Sequence, residues 1–226
     1  RDLDFFVLEG DTIYADYETP ASGVVTYPTE ENGLPPLEEQ FATKYDEVYG
    51  PRGGANFFDD LKKTTAIFAS IDDHEVINDF AGGADASTDA RFEETEGLIN
   101  DTTLYEAGLE TFQDYHPINE ETWEGTGDDR TEGEIKLYRS QDFGDDAALF
   151  VLDQRSFRDT QITGVLNPTD QAEVVAFQTA SFDPTRTLLG EAQLEALKAD
   201  LLEADQSGVT WKFVMTAEPI QDLGLN

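Results

Sequence analysis

Only two histidines occur in the 226 residues, and one of them, His74, lies inside the acidic run Asp72-Asp73-His74-Glu75-Val76-Ile77-Asn78-Asp79. Two adjacent carboxylates, an imidazole and an amide in one short stretch offer hard oxygen ligands for metal ions beside a group that exchanges protons near neutral pH. A structural histidine satisfied by local carboxylates is the competing reading. A second candidate is Gly10-Asp11-Thr12-Ile13-Tyr14, in which an Asp carboxylate could bridge two hard cations and a phenolate three residues on could bind ferric iron. Taken alone it is a weak signal, because Asp is a common turn residue. Arg155 could grip a phosphate with its planar fork, or simply pair with Asp153 on the same strand. His116 precedes a proline at a predicted helix end and reads as structural, and Trp123 and Trp211 read as packing residues. Pro51-Arg52-Gly53-Gly54 lacks the Gly-Lys-Ser/Thr of a phosphate loop and is expected to be a plain turn.

Both acidic clusters need a rigid support, and the pattern around them supplies one. Residues 3–9 and 65–71 read as buried strands, each running directly into an Asp-bearing turn. Residues 147–152 and 210–215 read as two more strands. Leu194, Leu197, Leu201 and Leu202 have helical spacing within 190–204, which predicts an amphipathic helix covering a sheet. A further helix is expected over 105–115, stopped at His116-Pro117. Strands alternating with helices imply an α/β architecture, in which ligand sites collect at the carboxyl ends of strands. The Pro-, Gly- and acid-rich segments 17–56 and 116–134 read as long surface loops on the rim of such a site. No repeat or linker divides the chain, so one domain over 1–226 is expected.

Composition narrows the class of partner. Forty-nine acidic against 14 basic residues give a formal charge of −35, which disfavours nucleic-acid binding through a basic patch. A compact chain of this mass exposes roughly 10,000 Å², which spaces the acids about 14 Å apart, beyond the ~8 Å screening length at physiological salt. Clusters such as Glu93-Glu94-Thr95-Glu96, Asp128-Asp129 and Asp145-Asp146 are much closer, so the composition is read as halophilic. The lack of cysteine excludes disulfides and thiolate ligands within these residues. No apolar run is long enough for a transmembrane segment, and no signal peptide is present. The chain opens on Arg1-Asp2-Leu3-Asp4 and reads as a fragment or processed product.

The motifs, taken in order, carry a resemblance. Asp72-Asp73-His74-Glu75-Val76 followed by Asn78-Asp79 resembles the signature of the alkaline phosphatase D (PhoD-like phosphatase) family, and Gly10-Asp11-Thr12-Ile13-Tyr14 is similar to the metal motif that precedes it. Leu152-Asp153-Gln154-Arg155-Ser156-Phe157-Arg158 and Leu189-Gly190-Glu191-Ala192-Gln193-Leu194, leading into Trp211-Lys212-Phe213-Val214, resemble the segments that follow. The resemblance implies a metallophosphoesterase-type β-sandwich flanked by helices, truncated at both ends. It implies metal-dependent hydrolysis of a small phosphate ester with ferric iron (Fe3+) and calcium (Ca2+), and a secreted, cell-surface or periplasmic location. Asp11 would bridge two metals, Tyr14 bind iron, Asp73 take the place of the wider superfamily's metal-binding Asn, and Asp72 and Asn78 add oxygen ligands for calcium. The catalytic roles fall to His74, beside the phosphate and the leaving group, and to Arg155. The family's Ser-Cys segment would precede residue 1 and its Gly-Asp-Val-His segment follow residue 226, so these residues alone are expected to show little activity. A nuclease-like binuclear hydrolase and a non-catalytic, calcium-binding acidic surface protein are the alternatives.

Overall fold

The computed structural model describes residues 3–218. Its elements follow the order β1 (Phe5–Glu9), α1 (Leu37–Tyr49), α2 (Phe57–Lys62), β2 (Ala66–Ser70), α3 (Thr103–Tyr115), β3 (Arg139–Phe143), β4 (Ala147–Val151), α4 (Gln171–Ser181), α5 (Glu191–Gln206) and β5 (Trp211–Met215). The architecture is mixed α/β, with two small sheets. β1 and β2 pair in parallel from Phe5 opposite Ala66 to Glu9 opposite Ser70, so both strands end at one edge and release their loops side by side. β4 pairs antiparallel with β3 and parallel with β5. Parallel neighbours cannot be joined by a tight turn. Here α1 and α2 make the first crossover and α4 and α5 the second. The sheets meet where Val7, Phe68 and Phe143 pack on Leu149, Val151 and Met215, with the rings of Phe5 and Phe143 stacked at 4.8 Å.

The largest core lies between α1 and α3. Leu37, Phe41, Tyr45 and Tyr49 of α1 are buried at intervals of four residues, which places them on one helical face. This helix corrects the expectation of a loop over 17–56. Glu38, Glu39, Lys44, Asp46 and Glu47 stand between them and dilute the apolar stripe. From the other side come Leu104, Tyr105, Leu109 and Phe112 of α3. That helix ends where anticipated, at an extended His116 before Pro117. The Arg52–Ala55 segment is the plain turn expected, closed by reciprocal backbone hydrogen bonds.

Other expectations need correction. The elements α2, β3 and α4 were not foreseen, and β1 and β5 are not buried on both faces: Phe6 is 39% exposed and Phe213 49%. Trp123 is buried as expected, but Trp211 is 63% exposed and, among the described residues, stacks only on Phe213 along its own strand. α5 covers β4 with Leu197 and Leu201, against Ala148 and Phe150, whereas Leu202 points outward. The accessible surface of 13363 Å² exceeds the roughly 10,000 Å² of a compact chain of this mass; exposed β5 and α4, which buries no residue, contribute to the excess.

Candidate metal centre at the ends of β1 and β2

Past Glu9 and Ser70 the two strands turn sharply and in contact. Gly10 has φ +92°, and a Cβ there would lie 2.5 Å from the Asp72 Cβ, so only glycine lets the turns approach this closely. Asp11 follows at φ +52°, a left-handed conformation that Asp tolerates better than most residues. The two turns bring Asp11, Asp73 and His74 together, with one possible ligand atom from each lying within 4.8 Å of the others. Asp11 Oδ2 accepts a hydrogen bond from the Tyr14 hydroxyl at 3.1 Å. Among the described residues its Oδ1 is buried without a hydrogen-bond partner. A buried carboxylate oxygen left unpaired beside two more donor residues fits a hard cation.

Asp73 is held from both sides, its Oδ1 accepting the His74 N–H at 3.0 Å and its Oδ2 the Asp79 N–H at 2.6 Å. His74 Nδ1 lies 2.7 Å from Asp16 Oδ1, and Asp16 Oδ2 accepts the Asn78 N–H at 3.0 Å. One face of the imidazole stacks on Tyr14, centroid to centroid at 4.2 Å, and Tyr17 meets it edge-on at 5.5 Å. Burial opposes a charge on His74, but the Asp16 hydrogen bond and the fields of Asp16, Asp73 and Asp11 outweigh it and raise its pKa above the ordinary value. Tyr14 is also raised, chiefly by its hydrogen bond to Asp11; a bound cation would act in the opposite sense.

Sequence reasoning missed Asp16. Nothing in its type separates it from the other acids; its only sequence signal is its place in the loop that Asp11 opens. Lys44 of α1, 2% exposed, anchors that loop by donating to the Tyr17 carbonyl and to Thr19 Oγ1. The unforeseen helix thus positions the partner of His74.

The remaining candidates stand beside the trio. Asp72 is turned to Arg155, whose Nε lies 2.6 Å from its Oδ1. Burial raises the pKa of Asp72, and Arg155 partly offsets it. The Asn78 side-chain amide donates to Asp79 Oδ2 at 2.8 Å. Arg155 does reach the site, but not by pairing with Asp153. Its Nη2 lies 2.5 Å from Glu218 Oε1 and 3.5 Å from Asp73 Oδ2, while Asp153 Oδ1 accepts the backbone N–H of Arg155 and Ser156. That turn sits hard against Gly82, where a Cβ would fall 2.2 Å from the Ser156 carbonyl oxygen. Among the described residues His116 makes no hydrogen bond to these groups. Its Nδ1 donates to the Phe112 carbonyl and its Nε2 accepts from the Tyr49 hydroxyl, and burial lowers its pKa to about 4.

The fold has a counterpart among solved structures: that of PhoD matches at a TM-score of 0.60 and 23% identity, over 95% of this chain and 36% of that one. The chain therefore spans about a third of PhoD's length. No curated protein matches the sequence. A family model, PhoD-like phosphatase, matches residues 1–225. With that match running through nearly every residue, including both acidic turns, the chain belongs to the PhoD-like phosphatase family.

Proposed function

We propose that residues 1–226 form the part of a catalytic domain that holds metal ions and hydrolyses small phosphate esters, mono- or diesters. The observation that carries this reading is the convergence of one possible ligand atom each from Asp11, Asp73 and His74, on an Asp11 carboxylate whose buried Oδ1 has no hydrogen-bond partner among the described residues. Asp11 and Asp73 would hold the cations, with Tyr14 on ferric iron and Asp72 and Asn78 contributing oxygen towards calcium. When bound, such ions supply Lewis-acid polarisation of the phosphoryl oxygens and a bound water of lowered pKa. The chain's own residues do the rest. Asp16 fixes the imidazole through Nδ1, which leaves Nε2 to face the substrate and pass a proton to the leaving alkoxide. A nitrogen that donates this proton cannot ligate metal at the same moment, so His74 is assigned to the leaving group. Arg155 holds Asp72 and Asp73 in place, and its guanidinium would also turn to a phosphate oxygen.

The two sheets, packed through Phe68, Phe143 and Leu149, are consistent with parts of a metallophosphoesterase β-sandwich flanked by helices. Among the described residues no helix is long and apolar enough to cross a membrane; a secreted, cell-surface or periplasmic location is part of the proposal. The test is metal analysis of the purified chain after loading with iron and calcium, with visible spectroscopy and assay on p-nitrophenyl phosphate and a bis-ester. Both metals, a tyrosinate-to-iron band lost in Tyr14→Phe, and turnover when the chain is extended to the length of PhoD are expected. Calcium alone without turnover would favour a non-catalytic calcium-binding surface protein.

A further inference from the structure

Where the ladder between β1 and β2 stops, one side chain takes over its work. The last paired residues are Glu9 and Ser70; beyond them the amides of the two turns have no strand to bond. Glu75 is fully buried, at 0% exposure. Its Oε2 accepts the Asp11 N–H at 3.0 Å and the Asp72 N–H at 2.8 Å, and its Oε1 accepts the Thr12 N–H at 2.6 Å. Two of the donors belong to the first turn and one to the second, so a single carboxylate spans both. It also fixes the amide of Asp11, the residue in a left-handed conformation. A buried carboxylate is costly to desolvate, and three N–H donors are the compensation that makes one tolerable. An aliphatic side chain here would accept from neither turn, and an amide, with one oxygen, could accept from Asp11 and Asp72 only by turning its NH2 against the Thr12 N–H.

We propose that Glu75 is a positioning residue that assembles the Asp11 and Asp72–His74 turns before any metal arrives, so that the ligand set is formed in advance. The inference rests on the metal-site reading only for its purpose; the clamp itself is a property of the metal-free chain. Because Glu75 bonds backbone N–H groups, it takes no lone pair of the Asp11 and Asp73 carboxylates, and Asp11 Oδ1 keeps no hydrogen-bond partner among the described residues. Ala15 N–H donating to the His74 carbonyl at 2.9 Å joins the turns once more on the far side. Preorganisation of this kind lowers the cost of gathering ligands around an ion.

Two measurements on the 226-residue chain test it. Amide hydrogen exchange in the metal-free protein should show Asp11, Thr12 and Asp72 protected, and Glu75→Gln should speed their exchange about 10- to 100-fold while the amides of α3 are unchanged. Titration with ferric nitrilotriacetate, followed by the tyrosinate band of Tyr14, should then show about 10- to 100-fold weaker iron binding in Glu75→Gln with its far-ultraviolet circular dichroism preserved. Equal amide protection and equal iron affinity in the two proteins would overturn the clamp. A wild-type chain with protected amides and no band at any iron concentration would remove the metal reading and leave the clamp standing. Should Glu75→Gln not fold, the wild-type amides decide: exchange of all three at free-peptide rates overturns the inference, and protection supports it.

Discussion

The neighbourhoods of the two histidines show how far surroundings, rather than residue type, decide what a side chain can do. His74 sits at a strand end among Asp16, Asp73 and Asp11, which pull its pKa up against burial. His116 sits at the end of α3 among Tyr45, Tyr49 and Phe112, and burial drives its pKa down to about 4. His74 is fixed through Nδ1 alone and His116 through both ring nitrogens, and the partners differ in charge. A carboxylate on Nδ1 supports an imidazolium, whereas a carbonyl and a phenol hold a neutral ring in one tautomer. One imidazole is therefore biased towards its charged form and the other held neutral in the core.

The sharpest way to break this contrast is at the carboxylates around His74. Asp11→Ala or Asp73→Ala should abolish metal loading, measured by elemental analysis, while His74→Ala should keep the metals and lose about 10²- to 10⁴-fold in turnover on p-nitrophenyl phosphate in the chain extended to PhoD length. Near-parental activity in His74→Ala would end its assignment to the leaving group, and His116→Gln should leave turnover unchanged.

The next effect belongs to His116 and concerns stability. Its folded pKa of about 4 lies below the ordinary ~6.5 of histidine, so the unfolded chain takes up a proton first as pH falls. The stabilising contribution of the neutral ring is complete above pH 6.5 and is lost between there and pH 4, by about 3 kcal/mol in all. Urea unfolding at pH 7 and pH 4.5 should show the parental chain losing more stability than His116→Gln, and parallel losses would mean that the ring is not held neutral.

Asp16→Asn offers a smaller, more specific change. It keeps the shape but removes the charge behind Nδ1, and should cost about 10- to 100-fold in turnover with metal content unaltered; unchanged turnover would reduce Asp16 to a loop contact. The smallest effect expected is global. Raising salt to 1 M shortens the screening length to ~3 Å and should lift the melting temperature by a few degrees, at about 2–4 °C per kcal/mol for a chain of this size. A flat or falling melting temperature in sodium chloride would remove the halophilic reading.

Much of the α/β pattern was legible in the sequence because continuous apolar runs such as residues 65–71 and 147–152 report strands, and a proline after His116 reports a helix end. The two acidic turns could be placed at strand ends for the same reason, since each follows its apolar run directly. What lay beyond reach depended on partners distant in the chain. α1 reads as loop because acidic residues interrupt its stripe, and only packing against α3 shows that Phe41 and Tyr45 face inward. β5 reads as buried from its composition, yet an apolar side chain is buried only where another element covers it, and Trp211 has none among the described residues. Asp16 and Glu75 are two acids among 49. By itself the sequence determined the order of the six elements with continuous or periodic apolar patterns (β1, β2, α3, β4, α5 and β5), the acidic charge and the candidate metal ligands, because these follow from local pattern and chemistry. Tertiary structure alone decided that Glu75 faces three amides, that Asp16 faces His74, and that Arg155 grips Asp72 across 83 residues. Burial and hydrogen-bond direction are set in space by neighbours that local sequence does not contain.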